Sequence, residues 1–173
     1  MATMILLPNA TGTTHPSWVP VGEGTPHECL DDDNAATSYV KCSADTRTML
    51  IEYANPSVAE ADIASIESVR FLSSGKANHR TNPSLVAISF AAPTAGFSES
   101  VSYDAHRSNF ETINGTARTT SDGSSAWTYS DLEELEMLCT KSGAVEVYLS
   151  YLALEVTYTE AAADNAVFFG TNF

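Results

Sequence analysis

The sequence predicts an all-β fold, an antiparallel jelly-roll β-sandwich with one short helix at about residues 130–139 before a long final strand. Three observations predict it. Short apolar segments alternate with turn residues at a spacing of roughly ten positions, the rhythm of a sandwich or barrel. No segment before Ser130 sustains a helical period, and the longest apolar run, Ala144 to Tyr158, has the composition of a strand.

The first run, Ala2 to Leu7, closes at Pro8 and reads as an edge strand or an arm; the Thr-, Pro- and Gly-rich stretch that follows as far as Pro26 reads as loop. Trp18 is the large aromatic of that stretch and is expected to plug the end of a core. Tyr39 to Cys42 is a short strand, and Met49, Ile51 and Tyr53 alternate along another that ends at Asn55-Pro56. Ala59 to Ser65 has the composition of a helical turn, after which Ile63, Ile66, Val69 and Phe71 resolve into a strand. Ser73 to Arg80 reads as polar loop, and Val86, Ile88 and Phe90 define the next strand, stopped by Pro93. Val101 to Tyr103 is a brief strand. Asn114-Gly115 predicts a two-residue hairpin between Phe110–Ile113 and Thr116–Thr119, and Asp122-Gly123 a further turn.

Ser130 followed by Glu133 is a capping-box pattern, with Leu132, Leu135 and Leu138 or Cys139 forming one apolar stripe of a helix that ends at Ser142-Gly143. In the final strand Val145, Val147, Leu149 and Tyr151 occupy odd positions, whereas Leu152, Leu154, Val156 and Tyr158 occupy even ones. Side chains alternate strictly along a strand, so either both faces are covered or a bulge near Ser150 to Leu152 re-aims it. The domain is expected to span residues 1–158, with an N-terminal arm, and residues 159–173 form a small-residue linker and a Phe-rich tail. Val167, Phe168, Phe169 and Phe173 of that tail need burial, against the parent sandwich or a partner, and are the candidate partner-binding residues.

The 173 residues suffice for one core, and the formal charge of −14, from 8 basic and 22 acidic residues, argues against a nucleic-acid partner. The N-terminus lacks a basic region and its apolar run is short, so neither a signal peptide nor a membrane span is expected, and synthesis in a reducing cytoplasm fits. Cys29, Cys42 and Cys139 are an odd number without paired spacing and read as buried thiols. Asn9 and Asn114 head glycosylation-type triplets but read as turn residues.

The acidic run Asp31, Asp32, Asp33 has the ligand type for calcium but lacks the spacing and glycine of an EF-hand loop, and reads as a solvated turn. His27, Cys29 and Cys42 lack the second pair that a zinc site needs. His15, His27, His79 and His106 are scattered through polar stretches, with no nucleophile elbow, metalloprotease pair or phosphate loop, and Glu133, Glu134 and Glu136 read as a solvated face. The expectation is a protein that is not an enzyme and needs no cofactor.

Taken in order, Trp18, Asp31-Asp32-Asp33 leading into Thr37-Ser38-Tyr39-Val40, Ile66-Glu67-Ser68-Val69-Arg70-Phe71, Ala126-Trp127-Thr128-Tyr129-Ser130-Asp131-Leu132 and Val145 to Val156 form a pattern. Over about Thr13 to Tyr158 this pattern resembles the small jelly-roll proteins of tailed-phage virions, which decorate capsids or serve as head or tail accessory parts. In that family the Trp-Thr-x-x-Asp-Leu word leads from a loop into a short helix before the last strand.

The resemblance implies a virion structural protein, foremost a capsid decoration protein. It would self-associate, a trimer being one arrangement, and bind other virion proteins such as the major capsid protein. It supplies no catalytic residues and does not extend to the Phe-rich tail. The alternative is a carbohydrate- or receptor-binding module, since the same sandwich hosts lectins. A glycan site needs aromatic faces exposed side by side among polar groups. Trp18, Trp127, Tyr103 and Tyr129 are the candidates, with both tryptophans expected to be mostly buried.

Overall fold

The computed structural model describes residues 1–32, 37–78, 84–92, 98–103, 109–143 and 145–162. It is the expected antiparallel jelly-roll sandwich. One sheet runs β3 (Trp18–Val21), β4 (Tyr39–Cys42), β11 (Val147–Glu160), β6 (Ile63–Ala77), β9 (Glu111–Asn114), and β1 (Ala2–Leu6) also pairs with β11. The other runs β2 (Pro8–Thr14), β5 (Arg47–Tyr53), β10 (Glu136–Ser142), β7 (Ser84–Ala92), β8 (Ser98–Tyr103). The chain passes between the sheets at Leu7-Pro8, where Leu7 uses its carbonyl to accept from Ala54 N.

The inward residues of the two sheets meet in one core. Met49, Ile51 and Tyr53 of β5, Val86, Ile88 and Phe90 of β7, and Met137 and Cys139 of β10 face Val40, Cys42, Val69, Phe71, Leu152, Leu154 and Val156 of the first sheet. Both expected tryptophans are buried, Trp18 at 3% and Trp127 at 5% exposure. Trp18 plugs one end, its indole N–H donating to Arg47 O at 3.2 Å; Trp127 donates to Arg118 O at 2.8 Å and sets its ring edge-on to Phe90.

The change of phase in β11 is a bulge. Val147 and Leu149 face the core, the pairing with β6 shifts between Leu149 and Tyr151, and Leu152, Leu154, Val156 and Tyr158 then carry the inward face. Ser150, the extra residue, is buried.

Five expectations need correction. The helix spans only Tyr129–Glu133, α1, and its cap is Thr128 rather than Ser130. Thr128 Oγ1 accepts from Asp131 N at 3.2 Å while Thr128 N donates to Asp131 Oδ2 at 2.7 Å. From Glu136 the chain is strand, with Met137, Cys139 and Lys141 inward and Glu136, Leu138 and Thr140 half-buried on the other face. Leu132, Leu135 and Leu138 fit a helical stripe, but the slot between β5 and β7 supplies backbone partners on both edges of this segment, and tertiary pairing overrides the local period.

The stretch taken as loop to Pro26 contains β2 and β3, because each lies against a partner strand that satisfies its backbone despite Thr, Gly and Pro composition. β6 continues through Ser73, Ser74 and Gly75 to Ala77 instead of giving way to loop at Ser73. These small residues leave room for Tyr103: a Cβ at Gly75 would stand 2.7 Å from the Tyr103 ring and 2.9 Å from Leu149. Asn114-Gly115 makes no hairpin. β9 runs straight along β6, pairing Leu72 with Asn114 and Gly75 with Glu111, and beyond Gly115 the chain stays on β6 through an Arg118–Val69 bridge. Asn9 and Asn114 accordingly lie in strands, both exposed, and not in turns.

Two local readings hold. A single 3-10 turn, Glu60–Asp62, precedes β6, and Asp122 caps a turn in which Gly123 has φ +91°.

Candidate functional site

Most of the expected site residues fall outside the described part of the chain. Val167, Phe168, Phe169 and Phe173 lie outside the described residues, as do Asp33, His79 and His106. Asp31 is half-buried and Asp32 exposed just after a 3-10 turn at Glu28–Leu30, and no group of three His, Cys, Asp or Glu among the described residues is arranged to hold a metal ion. Cys29, Cys42 and Cys139 are buried free thiols. Burial raises the Cys42 thiol above its ordinary pKa and pushes Cys139 up to about 12, the opposite of the thiolate character that a metal ligand or nucleophile needs.

The two described histidines are engaged by neighbouring amide and hydroxyl groups. His15 Nδ1 accepts from Ser17 N, and His27 Nδ1 lies 3.1 Å from Thr11 Oγ1 and 3.0 Å from Thr25 Oγ1. No helix among the described residues is long and apolar enough to cross a membrane.

Of the expected sugar-facing aromatics, Trp18, Trp127 and Tyr103 belong to the core. Tyr103 donates to Ser73 Oγ at 3.0 Å, and burial holds its phenol far above the ordinary range. Tyr129 is half-buried with its hydroxyl on Val58 O at 3.0 Å.

A different set of rings gathers on the outer face of the six-stranded sheet. Cross-strand register puts Trp18, Cys42, Val147 and Ala77 side by side on the core face, all buried. The next rung, Val19, Lys41, Tyr148 and Lys76, therefore points the other way, and Tyr39 stands two residues from Lys41 on the same outer face. Tyr39 and Tyr148 are half-buried, with centroids 5.4 Å apart and planes at 65°; the Phe110 ring joins them 6.2 Å from Tyr39. The three rings form a faceted apolar patch rather than a flat one.

Polar groups border it. Tyr148 donates its hydroxyl to Glu146 Oε2, and Asn78 Nδ2 reaches Tyr148 Oη at 3.1 Å and Glu146 Oε2 at 3.3 Å. Burial, then the Glu146 carboxylate, push the Tyr148 phenol up to about 12, so that it remains a neutral donor at physiological pH. Lys76 Nζ lies 4.6 Å from the Phe110 centroid and 5.3 Å from that of Tyr148. Chemically, this surface offers ring faces, an amide, a carboxylate and an ammonium within one patch, which suits recognition of a polar ligand with apolar faces.

Tyr39 and Tyr148 are strand residues and not the loop aromatics from which a glycan site is expected. The signal was present in the alternation. With Val40 and Cys42 inward on β4, and Val147 and Leu149 inward on β11, Tyr39 and Tyr148 occupy outward positions where a large ring needs a reason.

Concavities among the described residues lie elsewhere. One, of about 640 Å³, is lined by Val58, Ala61, Asp62, Tyr158, Glu160 and their neighbours. A cavity of about 200 Å³ lies between Ile63–Ile66 and Trp127–Tyr129, and one of about 250 Å³ lies among Asn9, Glu52, Tyr53 and Glu133–Glu136. The second of these brings Trp127 and Tyr129 together, but Trp127 is buried and the Tyr129 hydroxyl is held by Val58 O; the other two hold one tyrosine each.

No protein-family model matches the sequence, and no curated protein matches it. Among solved structures the chain is similar to a family two carbohydrate esterase from Cellvibrio japonicus, with 12% identity and a TM-score of 0.38 over 92% of this chain and 35% of that one. It is similar also to the enzymatically active domain of tailspike protein 4 of bacteriophage CBA120, with 10% identity and a TM-score of 0.44 over 90% of this chain and 19% of that one. A structure described as CBM4 aligns at 16% identity and a TM-score of 0.40, over 82% of this chain and 95% of its own. The chain thus spans about a third and a fifth of the lengths of the esterase and the tailspike domain. At these identities and TM-scores the likenesses say nothing of what this chain binds or does.

Proposed function

We propose that the outer face of the six-stranded sheet is a carbohydrate-binding surface, and that the protein acts by binding, without catalysis. The supporting observation is the gathering of Tyr39, Phe110 and Tyr148 on that face with Asn78 and Glu146 beside them. Sugar rings present C–H faces that pack on aromatic rings and hydroxyls that exchange hydrogen bonds with amides and carboxylates; a few placed polar groups around apolar faces are what a small-ligand site requires. The test is binding to a panel of immobilised oligosaccharides, followed by titration of the wild type and of Tyr39→Ala and Tyr148→Ala. Saccharide binding that falls at least tenfold in either variant, with an unchanged circular dichroism spectrum, supports the reading. Binding that persists in both, or no binding by the wild type, overturns it.

A second reading, attachment to a tailed-virus particle as a decoration protein, is favoured by the N-terminal strand. Ile5 of β1 and Met1 and Leu7 beside its ends expose 42%, 93% and 40% of their surface, with Thr3 between them, a mainly apolar strip suited to a second copy or a capsid protein. In this reading the protein resides in the virion, self-associates, and is present in a fixed ratio to the major capsid protein. Copy number in purified particles tests it: a stoichiometric complement supports it, and absence from the particle removes it.

A further inference from the structure

We infer that the saccharide bound on this face is an acidic one, carrying a carboxylate or sulfate. This deepens the proposed function and rests on it. The chain has 8 basic residues against 22 acidic ones, and its lysines are Lys41, Lys76 and Lys141. Lys41 and Lys76 are the two cross-strand neighbours of Tyr148, one on each side, on the same outward rung. Adjacent strands lie about 4.8 Å apart, so the two lysine backbones stand about 10 Å from each other with the tyrosine between them, and two long side chains can close on one anionic group above it. A strongly acidic protein thus places two of its three lysines around the centre of the aromatic patch.

Neither lysine is engaged by a carboxylate among the described residues, where the ion pairs are Arg70 with Glu155 and Arg118 with Glu99. Glu146, the acidic group nearest in the patch, is held instead by Tyr148 and Asn78. The Lys76 ammonium rests on the Phe110 and Tyr148 rings. A cation over a partly exposed ring is held more weakly than one in a charge-assisted hydrogen bond. An incoming carboxylate or sulfate therefore draws Lys76 off the rings and uncovers the faces on which its sugar packs. A neutral saccharide has to displace the ammonium and offers no opposite charge in return.

The experiment compares three defined ligands on the full chain: an oligogalacturonate, its methyl ester, which keeps the shape and removes the charge, and a sulfated chondroitin oligosaccharide of similar length. Each is titrated against the wild type, Lys41→Gln, Lys76→Gln and Tyr148→Ala. The expected result is binding of a charged ligand at least tenfold tighter than of the methyl ester, weakened several-fold by each lysine variant and by raised salt, and lost in Tyr148→Ala. Tight binding of the galacturonate shows that a carboxylate suffices, and a gain for the chondroitin, which carries sulfate beside its own carboxylates, points to a contribution from sulfate. If the methyl ester binds as well as the acid and both lysine variants bind normally, while Tyr148→Ala abolishes binding, the acidic preference is overturned and the carbohydrate surface stands. If Tyr148→Ala leaves all binding intact, both fall; if none of the three ligands binds while the oligosaccharide panel yields a neutral saccharide that needs Tyr148, the acidic preference alone falls.

Discussion

Gly115 lies against the ring of Phe71. Its N–H donates to Phe71 O at 2.8 Å, and a Cβ at this position would stand 2.4 Å from the ring. The glycine is needed for close approach, since it allows the chain after β9 to stay on β6 while Phe71 fills the core below. Gly115→Ala is expected to cost about 2 kcal/mol through forced movement of a buried ring, read as a lowered urea midpoint at unchanged slope. A variant as stable as the wild type would show that the ring has room to move.

Tyr103, Ser73 and Ile113 form a buried relay in which Tyr103 donates to Ser73 Oγ and Ser73 donates to Ile113 O at 2.9 Å. Tyr103→Phe removes one bond and leaves Ser73 its acceptor, for a cost of about 1 kcal/mol. Ser73→Ala leaves the tyrosine hydroxyl buried without its partner, and is expected to cost more, about 2 kcal/mol. Denaturation of the two single variants and the double variant checks the order. A double variant less stable than Ser73→Ala alone would contradict it.

Lys141 is fully buried and points inward from β10, directly across from Arg47, with its ammonium donating to Gly143 O. Arg47 Nε is itself buried without a hydrogen-bond partner, and neither cation joins an ion pair among the described residues. Two like charges opposite one another in a strand pair are unfavourable, and a buried ammonium carries a desolvation cost. Lys141→Met keeps the volume and is expected to stabilise by about 1 kcal/mol, seen as a raised melting temperature. A lower melting temperature would mean that the lysine's hydrogen bond outweighs its charge.

Asp122 accepts from the backbone N–H groups of Ser125 and Ser124 and from both hydroxyls, and these bonds, the Ser125 amide first, hold its carboxyl well below the usual range. The folded loop therefore binds this proton less readily than the unfolded chain. The stabilisation is complete above the ordinary value of 3.8 and is lost as the pH falls below it. Amide shifts of Ser124 and Ser125 should remain native at pH 3 and change only in stronger acid. A midpoint at 3.8 would remove the cap from the account of this turn.

Truncation after Ala162 removes Val167, Phe168, Phe169 and Phe173. Among the described residues the core ends at Tyr158, so the shortened protein is expected to melt within about 3 °C of the full chain. On the particle-attachment reading it would also lose binding to particles. Unfolding of the truncated protein would place the tail in the core; normal attachment would dismiss it as a docking element.

The sequence by itself determined the sandwich, because period-two burial is local. Met49, Ile51 and Tyr53, or Val86, Ile88 and Phe90, announce an inward face wherever the strand is placed. It also located the bulge in β11, since a change of phase between Leu149 and Leu152 admits few backbone solutions. Tertiary structure decided what depends on a distant partner. Glu136 to Ser142 is a strand because β5 and β7 leave it a slot, and Ser73 to Ala77 is a strand because β11 and β9 pair with it. Gly115 turns no hairpin because β6 offers its backbone a better partner. The candidate site belongs to this second kind. Tyr39, Lys76, Phe110 and Tyr148 are far apart in the chain, and each position shows at most that a ring or a charge points outward. Only the pairing of β4, β11 and β6 sets them on one face, where their separate chemistries become a single surface.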